Sequence, residues 1–127
     1  MDPISDLFIS IKNAQKAGHE TARVPYSLYK HEIVRALAHA GFVGEAQRRG
    51  KRVRKFLEIP LIMRDGVPAV REVRLFSKPS RRISSRFRTL PVARYGGVVL
   101  ITTSRGVMTS EEARKKKVGG QVLAEVW

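Results

Sequence analysis

The sequence predicts an α+β fold divided into two small domains, residues 1–77 and 78–127. Three observations carry this reading. Apolar residues recur at helical spacing twice within the first forty positions, and period-two alternation takes over from about residue 53. A break at Lys78-Pro79-Ser80 then precedes a stretch that reads as strand, loop, capped helix and strand. At 127 residues and 43% apolar content, the chain can bury a packed core and is too apolar for disorder.

The N-terminal domain reads as two helices on about three strands. Asp2-Pro3 is a helix start, a capping carboxylate followed by proline where its missing N–H costs nothing. Ile4, Leu7, Phe8, Ile11 and Ala14 follow at helical spacing, and Gly18 stops the helix. Its other face carries Ser10, Lys12 and Asn13, either a solvated face or a contact surface. Thr21 to Val24 can form a brief strand before Pro25. Ser27 can cap a second helix that buries Ile33, Leu37 and several alanines and ends at Gly41, after which Phe42 and Val43 start an extended segment. Gln47 to Arg54 reads as an exposed basic hairpin loop, with Arg48, Arg49, Lys51, Arg52 and Arg54 around Gly50. Val53 to Met63 reads as a strand with Leu57, Ile59 and Leu61 on one face, and Pro60 within it predicts an edge position or a bulge. Asp65-Gly66 is a turn, and Ala69 to Phe76 returns with Val73 and Leu75 alternating against Glu72 and Arg74.

The C-terminal domain reads as mostly β with one short helix. It opens with Arg81, Arg82, Arg86, Arg88 and Arg94, with Phe87 and Tyr95 interleaved. Leu90-Pro91 predicts a turn or short helix entry, and Gly96-Gly97 another turn. Val98 to Ile101 is a buried strand leading into Thr102-Thr103-Ser104-Arg105-Gly106, a polar loop with little bulk. Such a loop is a plain connector or a surface for close approach to an anionic partner, and its residue types allow both. Thr109 with Glu112 forms a capping box for a helix from about Ser110. Lys115, Lys116 and Lys117 suit the helix dipole and equally a binding site. Gly119-Gly120 ends that helix, and Gln121 to Trp127 is a last strand, with Val122, Ala124 and Val126 alternating.

Charge decides the class of partner. The chain carries 25 Lys+Arg against 11 Asp+Glu, a formal net charge of +14. The excess is regional: residues 1–47 are balanced at five of each sign, 48–94 hold fifteen basic against three acidic, and 95–127 hold five against three. Most of these cations are arginines, which pair bidentately with phosphate and stack on bases, so a nucleic acid is the indicated partner.

Other chemistries lack their signatures. There is no cysteine, which excludes disulfides, thiol catalysis and thiolate metal sites. His19, His31 and His39 have no partners at ligand spacing, and His31-Glu32 does not extend to a zinc-protease motif because position 35 is arginine. Gly96-Gly97 and Gly119-Gly120 lack the Lys-Ser/Thr of a phosphate-binding loop, and Ser104 has no base near it in sequence. No apolar run reaches the ~18 residues of a membrane span, and the N-terminus has no basic-then-apolar leader pattern. The reading is therefore no enzyme, no cofactor, no metal, no membrane and no small-molecule substrate.

The chain resembles the bacterial-type eighth protein of the small ribosomal subunit, a ribosomal-RNA-binding family, from end to end. The resemblance is carried by Thr102-Thr103-Ser104-Arg105-Gly106-Val107-Met108-Thr109, Glu112-Ala113-Arg114, Val118-Gly119-Gly120 and the closing strand to Trp127. Asp2-Pro3-Ile4, Asp6 and Ile11-Lys12-Asn13-Ala14 form a second signature. Val24-Pro25, Ser27, Gly41-Phe42, Pro79 and Arg82 add weaker matches. It implies two α+β domains, the second supplying most RNA contacts to an internally looped helix in the central domain of small-subunit ribosomal RNA. It also implies neighbouring small-subunit proteins as partners, a role in subunit assembly and translation, and a cytoplasmic ribosomal location. By this resemblance Thr102, Thr103, Ser104 and Arg105 would bond bases and backbone, beside a tight turn at Gly106. Gly120 and Gln121 would lie at the same site, and Lys12 and Asn13 would touch a neighbouring part of the RNA. Lys78, Arg81, Arg82 and the basic hairpin with Lys51 and Arg52 would meet phosphates. Regular A-form RNA hides its base edges, so short hydroxyls reading a distorted segment, with arginines supplying salt-dependent affinity, is a sound division of labour.

The sequence also departs from that family. Ser80 stands where glycine is usual, and Ser84 where a tyrosine able to stack on a base is usual, which passes that role to Phe87 or Tyr95 if it is kept. Ile9 and Ser10 replace the commoner threonine and arginine, Gln121 replaces glutamate, and Leu90 to Gly97 is a residue short. Two other readings stay open on residues alone: a non-ribosomal RNA-binding or RNA-chaperone protein of the same fold, and a basic nuclease-like enzyme.

Overall fold

The computed structural model describes residues 3–77 and 82–127. The capping role expected of Asp2 and the hinge expected at Lys78-Pro79-Ser80 lie outside the described residues. The chain divides into two units between Arg71 and Glu72, six residues before the boundary expected from the sequence.

The first unit begins with α1 (Pro3–Lys16), which buries Ile4, Leu7, Phe8, Ile11 and Ala14, the stripe its spacing predicts. It packs on β1 (Thr21–Pro25) and against α2 (Leu28–His39). Ser27 caps α2 by accepting a hydrogen bond from the Lys30 N–H at 3.1 Å, and Ile33, Val34, Ala36 and Leu37 are buried. A three-stranded antiparallel sheet completes the unit's layer, ordered β1, β3 (Phe56–Pro60), β2 (Gln47–Arg49). Ala22, Val24, Leu57 and Ile59 are buried by alternation along the two paired strands, whereas all of β2 is exposed. The sequence predicts an edge or a bulge for Pro60, yet β3 is the central strand. Pro60 is tolerated because it ends β3, two residues past Glu58, the last residue that β2 pairs, and its carbonyl accepts from the Gly44 N–H at 2.8 Å. Asp65-Gly66 makes the expected tight turn, between β4 (Met63–Arg64) and β5 (Val67–Pro68). The return strand expected over 69–76 continues that hairpin only through the Ala69 N–H, which donates to the Ile62 carbonyl at 2.8 Å.

From Glu72 onward the chain belongs to the second unit. β6 (Val73–Leu75) pairs with the C-terminal strand β10 (Gly120–Val126), not with the preceding hairpin. The second sheet runs β6, β10, β8 (Val98–Thr103), β9 (Gly106–Thr109), with β7 (Ser84–Ser85) on the first residues of β10. A single 3-10 turn, Phe87–Thr89, provides the short helical entry before Leu90-Pro91. α3 (Ser110–Lys115) starts at the expected capping box: Thr109 Oγ1 accepts from the Glu112 N–H and Glu112 reaches back. It packs on β8 and β9, and the core beneath joins Leu90, Val99, Ile101, Met108, Ala113 and Val122. Each of the larger side chains in that core, Ala113 apart, stabilises by roughly 1.5–3 kcal/mol.

Two expectations are corrected here. α3 ends not at Gly119 but at Lys115, capped by Lys116, and the left-handed φ of +56° at Lys117 closes a Schellman turn with Lys117 N–H to Arg114 O and Val118 N–H to Ala113 O. The alternation expected for Val122, Ala124 and Val126 is broken by a bulge at Leu123. Val122 pairs with Ile101 whereas Ala124 pairs with Leu100, so the two valines and the alanine do not share a face. Glu125 is thereby turned inward opposite Val99, and its carboxylate accepts the Arg94 backbone N–H at 2.7 Å.

Candidate nucleic-acid interface

The segment expected as a loop after Ile101 is a β-hairpin. Strand β8 continues through Thr103, turns at Ser104-Arg105, and returns as β9 from Gly106, with Thr103 paired to Gly106 and Thr102 to Val107. Gly106 has φ +108°, the left-handed position that lets an otherwise ordinary turn rejoin a twisted strand pair. Thr103 locks it: its hydroxyl accepts from the Arg105 N–H at 3.0 Å and donates to the Gly106 carbonyl at 2.9 Å. The Thr103 hydroxyl is therefore occupied in holding the turn. The Ser104 and Arg105 side chains are exposed, with no hydrogen-bond or ion-pair partner among the described residues.

Strand register builds the rest. Gln121 is opposite Thr102 on one side and Ser84 on the other, so Ser84, Gln121, Thr102 and Val107 form one cross-strand row. The next row, Val122, Ile101 and Met108, lies in the core, so the first row points to the other face of the sheet. Gly119 and Gly120 make this row compact. A Cβ on Gly120 would stand 2.0 Å from the Thr102 carbonyl oxygen, and one on Gly119 would stand 2.4 Å from that of Ser85. No side chain fits at either position, so β7 and β8 close on both flanks of β10. The amide nitrogen of Gln121 is buried with no hydrogen-bond partner among the described residues, a donor left over in the middle of the row.

The other expected residues are placed as follows. Arg82 is exposed just before Ile83, whose N–H donates to the buried Ser77 hydroxyl at 2.9 Å. Lys78 and Arg81 lie outside the described residues. In the first unit Lys12 is half-buried and Asn13 exposed, the latter lining a groove with Ser10, His19 and Arg23. Lys51 and Arg52 are exposed in the loop between β2 and β3. Neither aromatic named as a substitute for the absent tyrosine is free at Ser84. Phe87 packs against the second core, and Tyr95 stacks on Trp127 with ring centroids 4.5 Å apart, at the opposite end of β10. Sequence reasoning noted Ser84 for what it lacks and missed what it joins, the row with Gln121 and Thr102. The Gly-Gly pair was the available signal, as a mark of close backbone approach.

Short hydroxyls in a cross-strand row, with the exposed Ser104 and Arg105 on a locked hairpin beside it, suit a protein that binds RNA. The chain belongs to the ribosomal protein S8 family, whose profile matches residues 2–127. It is similar to "Small ribosomal subunit protein uS8" of Coprothermobacter proteolyticus, 41% identical over 99% of this chain and 98% of that one. The proteins of the same name from Synechococcus sp. (strain RCC307) and Mycoplasmopsis agalactiae are 40% and 38% identical, each over 99% of this chain and 97% of theirs.

Proposed function

We propose that this protein binds an internally looped helix in the central domain of small-subunit ribosomal RNA through the Ser84–Gln121–Thr102 row and the Ser104-Arg105 turn. As a member of its family it is a structural constituent of the cytoplasmic small ribosomal subunit, acting in translation, and not an enzyme. The observation that carries the specific reading is the cross-strand row of short polar side chains at Ser84, Gln121 and Thr102, beside an exposed serine and arginine. Such a surface can hydrogen-bond splayed base edges that a regular duplex conceals. Arg82 and Arg105 supply charge to the phosphates around it, and neighbouring small-subunit proteins complete its surroundings. Lys78 and Arg81 are proposed for the same electrostatic role, as are Lys12, Asn13, Lys51 and Arg52 on the first unit.

The test is binding of a central-domain transcript across a salt series. Ser104→Ala removes a neutral hydrogen bond and weakens binding by about 1–2 kcal/mol with an unchanged salt slope. Arg82→Ala instead lowers the slope by about one phosphate's worth. Equal slopes for the two variants would refute this separation of roles.

A further inference from the structure

The first unit has a cleft flanked by arginines that the sequence did not single out. A cleft of about 560 Å³ opens between α2 and the segment leading to β2, walled by His31, Arg35, His39, Gly44 and Glu45. Arg48, the middle residue of β2, lies over the Tyr26 ring, 5.2 Å from its centroid, and Tyr26 meets His31 edge-on at 6.0 Å. This chain of contacts ties the cleft wall to the basic hairpin.

Acidic partners separate these arginines into two groups. Glu58 takes Arg49 at 3.3 Å and Arg23 at 3.7 Å, so those two share one carboxylate on the sheet. Arg35 and Arg48 are exposed and have no ion pair among the described residues. His31 titrates below its ordinary 6.5 because of burial, then Arg35, then Arg48, so both guanidinium charges are felt at the cleft wall. From Arg48 the cations continue along the hairpin as Lys51, Arg52, Arg54 and Lys55, all exposed. A line of cations leading out of a cleft fits a polyanion with regularly spaced charges better than a single carboxylate.

The geometry points to a second RNA contact on the first unit, in which Arg35 and Arg48 hold backbone phosphates at the α2 cleft and the hairpin carries the strand onward. This rests on the ribosomal-RNA reading and adds to it a separate site on α2. Arginine suits that role because its planar fork meets phosphate oxygens bidentately.

The test uses the full chain, a double variant Arg35→Gln/Arg48→Gln, and Ser104→Ala as the reference for the hairpin site. Both arginines are solvent-exposed, and circular dichroism checks that the double variant is folded. With the central-domain transcript, the double variant should bind about tenfold more weakly near 0.1 M salt. Its salt slope should fall by about two phosphates' worth, and its deficit should fade at high salt. In parallel, the His31 ring resonance should titrate at higher pH when a short oligoribonucleotide is bound, and this rise should vanish in the double variant. An unchanged slope alongside a weakened Ser104→Ala variant overturns the cleft contact and leaves the hairpin reading intact. Salt-dependent oligoribonucleotide binding that the double variant loses, with no effect of Ser104→Ala on the transcript, supports the cleft and overturns the hairpin reading. A His31 response to oligoglutamate and none to RNA also overturns the inference, in favour of an acidic protein partner.

Discussion

Two hairpins of the molecule, one in each unit, follow opposite designs for the RNA contacts proposed for them. The hairpin β2–β3 of the first unit has an exposed outer strand, a loop over residues 50–55, and a run of cations. The hairpin β8–β9 of the second unit turns within two residues, is locked by the Thr103 hydroxyl, and stands on buried Ile101 and Met108. The first offers exposed charge along its outer strand and loop. The second holds short polar groups still. Charge tolerates imprecise placement because it acts over a Debye length of roughly 8–10 Å, whereas a hydrogen bond to a base edge fails within a fraction of an ångström. Rigidity is therefore concentrated where recognition of base edges is proposed, and the basic loop needs little of it.

The largest test of that contrast is Gly120→Ala. The added Cβ meets the Thr102 carbonyl, which cannot yield without separating β10 from β8. A loss of about 3 kcal/mol is expected, at the upper end for overpacking, read by denaturant unfolding, together with loss of transcript binding. A variant as stable as the parent would show that close strand approach does not hold the row in place. Thr103→Val comes next. It deletes two hydrogen bonds inside the turn and should cost about 1–2 kcal/mol of stability. RNA affinity should fall although the Thr103 hydroxyl is not a base contact, because the turn that presents Ser104 loosens. Hydrogen exchange at Arg105 and Gly106 measures that loosening directly. The paired change Lys51→Ala/Arg52→Ala in the other hairpin should leave stability within about 0.5 kcal/mol, as exposed loop substitutions do. Its effect should appear as a shallower salt slope in RNA binding. If the basic pair changed stability and the threonine did not, the two designs would be reversed.

How far the sequence announced these hairpins depends on the range of the interactions that set them. The helix caps at Ser27 and Thr109 were legible because each is settled within three residues. The basic loop was legible from composition alone. The β8–β9 hairpin was missed as a hairpin because Thr-Ser-Arg-Gly has its glycine after the turn, not inside it, and resembles a connector. The polar row was hidden more deeply. Thr102, Ser84 and Gln121 come together only through strand register, and a bulge at Leu123 resets that register in a way no local pattern signals. The same holds for β6: its alternation marked it as a strand, but the choice of β10 over the preceding hairpin is made by tertiary pairing. The family resemblance supplied candidate site residues that periodicity could not, and the register brings Thr102 and Gln121 of them side by side.

The smallest predicted effect separates the units by pH. All three histidines of the chain, His19, His31 and His39, precede residue 72 and so belong to the first unit. Burial first, and then the charges of Arg35 and Arg48, hold His31 below its ordinary 6.5. Above that value the group is neutral whether the chain is folded or not, and it contributes nothing to pH dependence. Below it the unfolded chain takes up the proton more readily than the folded one, so stability declines as pH falls toward the lower folded value. The decline is confined to the mildly acidic window, before carboxylates protonate. Amide exchange followed from pH 7.5 to pH 5.5, after correction for intrinsic rates, should therefore show α2 and β2 losing protection while β8 and β9 hold theirs. His31→Gln should flatten the response of the first unit. An equal loss in both units, or a slope that survives His31→Gln, would place the pH sensitivity elsewhere and remove this distinction between them.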